Sequence, residues 1–349
     1  MAVSAVLAST RVASRQRVLI VDDSAVARTV LARMVAETGA AVSAAMPDVA
    51  QALTFLAANM VDVIVLDLEM PGVDGLTGLP DLLAAGKGAK VLVVSSAAGE
   101  GAAATVQALA LGAADTLVKP GRGVSPGNFA HALGEKIARL AEGSAPSIRT
   151  PTPAALPDRG FDMVAIGAST GGIHAINLLL RAVPPSYHGP IAVTQHLPTA
   201  FVPYFTRQLA SATGRTCEPA SDRLALRDNH IVVAPGDAHM IGVALPGGRA
   251  ATRLSREPVA NGNMPSVDPM FASLADCFGV RLLAVVLSGM GRDGLEGAAR
   301  VRAAGGTVIV QDEPSSVVWG MPGAVAAAGL ANAVLPPEAI GACITGAHR

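Results

Sequence analysis

Three polar residues that could cooperate in nucleophilic catalysis each follow an apolar, strand-like stretch of the chain. The first, Ser169, lies in the turn Gly167-Ala-Ser-Thr-Gly-Gly172, directly after the apolar residues 163–166 and before a predicted helix over 173–181. A serine in a glycine-flanked turn between strand and helix has the form of a nucleophile elbow, in which the hydroxyl projects clear of the sheet. Glycine-rich turns of this kind also bind phosphate groups, so this stretch alone leaves both interpretations open.

The other two residues are His196, which ends the apolar stretch 190–195, and Asp293, which follows the apolar stretch 281–287. A nucleophilic serine needs a base within hydrogen-bonding reach, and the base needs an anionic partner that fixes its tautomer. The order Ser, His, Asp along the chain differs from the Ser, Asp, His order of α/β-hydrolases, but geometry defines a triad and order does not. We therefore predict that Ser169, His196 and Asp293 form a catalytic triad.

Other histidines and aspartates compete for the roles of base and orienting acid. They are His174, His188, His230 and His239, and Asp237, Asp268 and Asp312. We favour His196 because it alone ends a clear aliphatic strand and is followed by a loop. Asp237 and Asp268 have turn-like neighbours and could instead cap helices or turns.

A second group of polar residues follows the predicted strands of the N-terminal half. It consists of Asp22, Asp23, Asp67, Ser95 and Lys119. Three carboxylates in one pocket repel each other unless a cation joins them, and hard oxygen ligands suit Mg²⁺. With a lysine and a hydroxyl beside them, such carboxylates suit phosphoryl transfer to one of the aspartates.

The elements that must position both groups alternate between strand and helix throughout the chain. This alternation predicts an α/β fold class with two doubly wound parallel-sheet domains, whose functional groups gather beyond the carboxyl ends of the strands. We predict domains over 16–142 and 161–347, joined by a proline-rich linker over 143–160. Pro80 is expected to start or kink a short helix.

Composition narrows the function further. The chain has 349 residues, a formal net charge of −1 and no block of basic residues, which argues against a nucleic-acid partner. Its three cysteines lack the spacing of a metal site or a disulfide framework, which is typical of reduced thiols in a cytoplasmic protein. The apolar part of the N-terminal stretch is too short and interrupted to insert into a membrane, and we expect a monomer.

The N-terminal half resembles the receiver domain of bacterial response regulators, which has a flavodoxin-like fold. The resemblance covers about 17–140 and rests on Leu19-Ile-Val-Asp-Asp-Ser24, Val65-Leu-Asp-Leu-Glu-Met-Pro-Gly72, Val93-Val-Ser-Ser96 and Val118-Lys-Pro120. It implies that Asp67 accepts a phosphoryl group, that Asp22, Asp23 and Asp67 hold Mg²⁺, and that Ser95 and Lys119 sense the phosphoryl group.

Two departures from the receiver pattern affect the expected switching. Thr116 stands where receivers often carry an aromatic switch residue, which puts coupling through ring rotation in doubt. Pro80 stands where such domains usually continue a helix, so that face is expected to be shorter.

The C-terminal half, over about 161–344, resembles the catalytic domain of the CheB family of chemotaxis methylesterases. The matching motifs are Ile166-Gly-Ala-Ser-Thr-Gly-Gly172, Thr194-Gln-His196, Ala234-Pro-Gly-Asp237 with His239, Pro265-Ser-Val-Asp268, Leu287-Ser-Gly-Met-Gly-Arg-Asp-Gly294 and Trp319-Gly-Met-Pro322. The order of receiver, linker and esterase is that of the family as well.

This resemblance implies that Ser169 is the nucleophile, His196 the base and Asp293 its orienting acid, with Thr170 and the backbone near Met290 beside the oxyanion. It implies demethylation of glutamate methyl esters on methyl-accepting chemotaxis receptors, release of methanol, and deamidation of receptor glutamines, with no cofactor at the esterase site. A chemotaxis histidine kinase would be the phosphodonor. Arg292 replaces an asparagine common in the family's Gly-Asn-Asp-Gly turn, and we expect it to alter the rim of the site more than its chemistry.

Two alternatives belong to other functional classes. One is a phosphorylation-gated hydrolase or deamidase of another protein or of a small ester. The other is a receiver joined to an α/β adaptor that binds receptors or kinases without turnover, which the presence of Ser169, His196 and Asp293 disfavours. A transcriptional output is disfavoured because the second domain has neither a basic helix pair nor a basic surface run.

Overall fold

The computed structural model describes residues 15–96, 99–119, 126–141 and 160–345. The predicted linker over 143–160 lies outside the described residues except for Gly160, and so does Pro120 of the Lys119-Pro120 motif. Within the described ranges the chain forms two parallel sheets with helices on both faces, as the alternation of strands and helices predicts. No helix of these ranges is both long and apolar enough to cross a bilayer.

The first domain is a five-stranded parallel sheet with strand order β2-β1-β3-β4-β5. Its elements are β1 Arg17–Val21, α1 Ala25–Glu37, β2 Ala41–Met46, α2 Val49–Ala58, β3 Val63–Asp67, α3 Gly75–Ala85, β4 Lys90–Ser95, α4 Gly99–Leu111, β5 Asp115–Val118 and α5 Pro126–Ala141. The central strands are aliphatic on both faces and fully buried, because helices cover the sheet from both sides.

The second domain is a seven-stranded parallel sheet, with strand order β14-β13-β12-β6-β7-β9-β8, and a separate antiparallel hairpin of β10 and β11. Its elements are β6 Met163–Ala168, α6 Gly172–Arg181, β7 Ile191–Gln195, α7 Val202–Thr213, β8 Thr216–Pro219, β9 His230–Val233, β10 His239–Leu245, β11 Arg249–Ser255, α8 Val267–Phe278, β12 Leu282–Val286, α9 Leu295–Ala303, β13 Thr307–Gln311, α10 Gly320–Ala327, β14 Ala333–Leu335 and α11 Pro337–Ala342. Strands β12, β6 and β7 are neighbours at its centre, so the turns that follow them lie side by side.

Three local features differ from the sequence-based expectation. Strands β8 and β14 are absent from the prediction; each is short and forms one edge of the large sheet. The expectation that Pro80 starts its helix is wrong, because the 11-residue helix α3 begins at Gly75 and continues past Pro80 to Ala85. The buried side chains of Leu79 and Leu82 hold this helix on the core, and such packing outweighs the lost backbone hydrogen bond.

The two domains share one continuous cluster of buried apolar side chains. Helix α4 of the first domain packs against α6 and α7 of the second. Leu109 at the end of α4 and Ile173 at the start of α6 both belong to this cluster. The contact therefore lies close to the turn that carries Ser169.

Gly78 of α3 lies where α3 packs closely against α2, so an alanine there tests how tightly these two helices pack. A Cβ atom at Gly78 would lie 2.6 Å from Cγ1 of Val49. We expect Gly78→Ala to lower the free energy of unfolding by about 1–3 kcal/mol, the usual cost of overpacking, despite the better helix propensity of alanine. Urea denaturation of the Gly78→Ala, Val49→Ala and double variants measures this. In the Val49→Ala background, Gly78→Ala should change the free energy of unfolding little. An equal loss in both backgrounds would show that overlap with Val49 is not the cause.

Candidate active site

The turn between β6 and α6 places Ser169 at the carboxyl end of the central strand. Gly171 adopts a φ of 76°, in the left-handed region, and this reverses the chain into the helix. A Cβ atom there would lie 2.8 Å from the hydroxyl oxygen of Ser288, so the position needs glycine for space as well as for conformation. The Ser169 amide donates to the carbonyl oxygen of Ser288 at 3.0 Å, which ties the turn to the loop after β12.

The structure brings Ser169, His196 and Asp293 together from three neighbouring strand ends. Nδ1 of His196 lies 3.2 Å from the hydroxyl oxygen of Ser169, and Nε2 lies 2.7 Å from Oδ2 of Asp293. The ring nitrogen on the carboxylate side must carry the proton, because the carboxylate can only accept. Nδ1 is then the unprotonated nitrogen that faces the serine hydroxyl, which is the arrangement that a general base needs.

The competing histidines and aspartates have other partners. His174 contacts the Ala110 carbonyl, His188 contacts Asn229, His230 pairs with Glu218, His239 contacts Glu257 and Ser266, Asp237 pairs with Arg256, and Asp312 contacts Ser315. None of the histidines in this group has a described hydrogen bond to Ser169. Asp268 donates its amide hydrogen directly to the Asp293 carboxylate, and His239 is linked to Asp293 through Ser266.

The Asp293 carboxylate is fully buried and receives hydrogen bonds from six groups. The donors are His196 Nε2, Ser266 Oγ, Asn261 Nδ2 and the amides of Val267, Asp268 and Gly294. Burial alone would raise the pKa of Asp293, but these donors and the attraction of His196 outweigh burial and lower the pKa to about 2. Asp293 is therefore ionised at neutral pH and can hold an imidazolium.

Asp268 and Asn261 are site residues that the sequence analysis did not assign to the triad's surroundings. Burial raises the pKa of Asp268 to about 6, helped by repulsion from Asp293 and opposed by the hydrogen bond from the Gly297 amide. The Asn261 carboxamide nitrogen lies 2.9 Å from Asp293 and 3.0 Å from Asp268, so it bridges the two carboxylates. Both residues stand in polar loop sequence with no nucleophile or base pattern, and proximity to Asp293 is visible only in the fold.

Thr170 and Met290 are the residues predicted to lie beside the oxyanion. They line one cleft of about 680 Å³ together with Ser169 and His196. The hydrogen bonds described for the Thr170 and Met290 backbones include none from their amides, whereas the Gly171 amide donates to the Ala114 carbonyl. The Thr170 and Met290 amides therefore have the chemistry to donate to a developing oxyanion.

The first domain forms one wall of this cleft. The Gly171 amide donates to Ala114 at 2.8 Å, the Thr170 hydroxyl donates to Asp115 at 3.1 Å, and Lys136 pairs with the same Asp115 carboxylate at 2.6 Å. These contacts join the start of β5 to the nucleophile turn itself. Access to Ser169 is therefore coupled to the position of the first domain.

Four of the five predicted residues of the first domain also converge, and the fifth, Ser95, ends the strand that pairs with the one ending in Asp67. Carboxylate oxygens of Asp22, Asp23 and Asp67 lie within 4.8 Å of one another, and Lys119 Nζ lies 2.7 Å from Asp67 Oδ2. Burial raises the pKa of Asp22, and the nearby charge of Asp67 adds to this. A hard divalent cation would relieve both effects, so the donor set fits Mg²⁺.

Ser95 is the last residue of β4, beside the strand that ends in Asp67, and Thr116 lies on the next strand, β5. The Ser95 hydroxyl is fully buried and shares a short hydrogen bond with the hydroxyl of Thr105 in α4. Thr116 is buried, and its hydroxyl has no partner within the described ranges. Ser95 therefore connects the pocket to α4, the helix that packs against the second domain.

Comparison with known proteins agrees with both halves of this architecture. The sequence profile described as CheB methylesterase matches residues 164–344, and the profile described as the response regulator receiver domain matches residues 18–124. The first match covers more than half of the chain. The chain belongs to the CheB methylesterase family. It carries the receiver domain of response regulators at its N-terminal side.

Relatives extend the family assignment over nearly the full length of the chain. A protein-glutamate methylesterase/protein-glutamine glutaminase of Caulobacter vibrioides is 41% identical over 95% of this chain and 99% of its own. One of the same name from Paramagnetospirillum magneticum is 40% identical over 92% and 93%. The crystal structure of the Thermotoga maritima CheB methylesterase catalytic domain is 34% identical, with a TM-score of 0.50, and covers 52% of this chain and 95% of that one.

The close pair of carboxylates, Asp268 and Asp293, makes the stability of this CheB-family protein depend on pH. The pKa of Asp268 is about 6 in the folded protein, whereas an unfolded aspartate has an ordinary pKa of about 3.9. Between about pH 3.9 and about pH 6, the folded state therefore binds more protons at Asp268 than the unfolded state does. We therefore expect the wild type to lose stability relative to Asp268→Asn as the pH rises from about 4 to about 7. Urea denaturation across this range measures the difference. Asp276→Asn removes an exposed carboxylate from the same helix and is the control for the substitution itself. A difference between wild type and Asp268→Asn that does not change with pH would contradict the expectation.

Proposed function

We propose that this protein is a phosphorylation-activated serine esterase that hydrolyses glutamate methyl esters on chemotaxis receptors and releases methanol. The relatives over its full length are named protein-glutamate methylesterase/protein-glutamine glutaminase. The observation that carries the proposal is the hydrogen-bonded chain from Ser169 through His196 to the buried Asp293. Such a chain suits acyl transfer to a serine hydroxyl.

In the proposed first half-reaction, the Ser169 oxygen attacks the γ-carbonyl carbon of the methylated glutamate, and His196 Nδ1 takes the serine proton. The Thr170 and Met290 amides stabilise the oxyanion. The carbon–oxygen bond to the methoxy group then breaks, and methanol leaves with the proton from His196. Asp293 keeps the imidazole in its Nε2–H tautomer throughout and stabilises the imidazolium.

In the second half-reaction, His196 takes a proton from water, whose oxygen attacks the acyl-enzyme. The bond to Ser169 breaks, the serine regains its proton from His196, and the receptor keeps a free glutamate. A glutamine side chain differs only in its leaving group, which departs as ammonia. The same residues therefore suit the deamidation that the names of the relatives indicate. This esterase mechanism uses no cofactor.

The receiver domain supplies the switch in this proposal. Asp67 accepts a phosphoryl group from a chemotaxis histidine kinase, Asp22, Asp23 and Asp67 would hold Mg²⁺, and Lys119 pairs with the acceptor. When bound, Mg²⁺ neutralises charge on the transferring phosphoryl oxygens. Ser95 would donate to the new phosphoryl group in place of its present bond to Thr105.

Two elements lead from the acceptor to the esterase turn. Strand β5 carries Asp115 at its start and precedes Lys119, and α4 carries Thr105 and Ala110, whose carbonyl contacts His174 of α6. A shift of Ser95 and Lys119 toward a phosphoryl group would move both elements and release the contacts to Thr170 and Gly171. Without phosphorylation these contacts stay in place and hold the protein at low activity.

The proposal includes the organisation and setting of the chain. The receiver domain spans 16–142, the linker 143–160 and the catalytic domain 161–347. The protein acts as a cytoplasmic monomer on the cytoplasmic helices of its receptors.

Replacement of the nucleophile separates the two activities of the chain. We expect Ser169→Ala to lower methanol release from methylated receptor membranes by at least about 10³-fold, because no other group on the turn can form the acyl-enzyme. Phosphorylation of Asp67 by radiolabelled acetyl phosphate should stay at the wild-type level and serves as the folding control. Ester hydrolysis retained by this variant would show that another residue is the nucleophile.

Loss of one contact between receiver and esterase tests the proposed restraint. We expect Asp115→Ala to raise methanol release by unphosphorylated protein about 5-fold, because about 1 kcal/mol of hydrogen bonding to Thr170 is lost. Activity in acetyl phosphate and Mg²⁺ should change little. The control is Asp81→Ala, an exposed aspartate of α3 away from the cleft, which should match the wild type. Unchanged basal activity in Asp115→Ala would show that this contact does not restrain the enzyme.

A further inference from the structure

A single buried carboxamide links the backbone of the proposed nucleophile to that of the proposed base. Nε2 of Gln195, the last residue of β7, donates to the carbonyl oxygen of Ser169 at 2.9 Å and to that of His196 at 3.2 Å. Among the described residues, it is the only side chain that bonds to the backbone of both. We propose that Gln195 is a positioning residue that sets the distance between the Ser169 hydroxyl and His196 Nδ1. This inference rests on the proposed function.

The Gln195 carboxamide bonds to the backbone just beyond the last hydrogen-bonded residue pair of strands β6 and β7. Strands β6 and β7 pair up to Ala168 and Gln195, and the His196 amide still donates to the Ala168 carbonyl at 3.0 Å. Beyond this point the chain turns into α6 on one side and into a loop on the other. The Gln195 side chain supplies the next cross-link, so the two segments stay in register past the last backbone bond.

The chemistry of the site requires a carboxamide in this orientation. Two carbonyl oxygens need two N–H donors, and a buried lysine or arginine would bring an unpaired charge. The reversed amide would put its oxygen against both carbonyl oxygens, so the contacts themselves decide which atom is nitrogen.

The remaining atom of the carboxamide indicates that this arrangement has a cost. Gln195 is 5% exposed, and its Oε1 has no hydrogen-bond partner within the described ranges. A buried acceptor without a partner lowers stability, a penalty that an apolar residue would avoid. A role that apolar residues cannot perform, the donation of two bonds, accounts for glutamine at this position.

The glycine-rich turn is shaped to admit this side chain. A Cβ atom at Gly172 would overlap Oε1 of Gln195. The second glycine of Gly171-Gly172 thus makes room for the carboxamide, whereas the first provides the left-handed conformation. The Gly172 amide also donates to the Ser169 carbonyl at 2.8 Å, so that oxygen is held from two sides.

The test compares full-length Gln195→Met and Gln195→Glu with the wild type, each in acetyl phosphate and Mg²⁺. We expect Gln195→Met to lower kcat for methanol release, and the rate of Ser169 labelling by a fluorophosphonate, about 10²-fold, because displacements near 1 Å have effects of this size. KM should stay within about 3-fold, since the receptor contacts are intact. Gln195→Glu should be slower still, because its carboxylate repels both carbonyl oxygens.

A matched control and a second variant separate positioning from folding. Gln208→Met removes a carboxamide that bonds Asn177 between α6 and α7, and should lower the melting temperature while leaving kcat within about 2-fold. If Gln195→Met is unfolded, Gln195→Asn is the deciding variant. It keeps the carboxamide but is one methylene too short to reach both carbonyl oxygens, so its kcat should also fall. A wild-type kcat in Gln195→Asn overturns the proposal. Wild-type labelling rates in a folded Gln195→Met overturn it too. Absence of labelling in the wild type itself would instead contradict the proposed function.

Discussion

The ionised carboxylate of Asp293 is the constraint on which the catalytic domain depends. Charge in a fully buried position is unfavourable unless hydrogen bonds replace water, and six donors do so here. Two of them are amides in the first turn of α8, where unpaired N–H groups and the helix dipole favour an anion. Only one donor, His196, belongs to the proposed reaction, and the others fix the carboxylate so that the imidazole has one orientation.

The two helices beside this carboxylate take part in an exchange, in which a carboxylate at the start of each helix accepts a hydrogen bond from the first turn of the other. Asp293 precedes α9 and binds the first turn of α8, and Asp268 in the first turn of α8 binds the Gly297 amide of α9 at 2.7 Å. The exchange brings two carboxylates close together, and Asn261 donates to both. One ionises readily and the other resists ionisation, which is how two neighbouring acids share one low-dielectric site.

Much of this site could be predicted from the sequence, because parallel strands concentrate their functional groups at one edge. Ser169 and His196 lie directly after two aliphatic strands and Asp293 lies in the loop after a third, and the fold class places such residues at one edge of the sheet. Gln195 and Asn261 could not be found this way, since their contacts depend on the path of loops and on side-chain length. The edge strands β8 and β14 carry too few residues for a period, and the continuation of α3 through Pro80 is decided by tertiary packing, which local propensity does not contain.

The Gly171 amide beside the nucleophile donates to a peptide carbonyl of the receiver, Ala114, in the way that it could donate to a bound inhibitor. In the proposed resting state, the receiver domain lies in the cleft beside Ser169 as a tethered competitive ligand would. Within the described ranges, the hydrogen bonds across the domain contact are three, from Gly171, Thr170 and His174. At about 0.5–1.5 kcal/mol for each bond, they correspond to a suppression of about 10-fold to about 10³-fold. A restraint of finite strength leaves the proposed resting enzyme a residual turnover, and the strength of the whole interdomain contact, polar and apolar, sets how far phosphorylation can raise it.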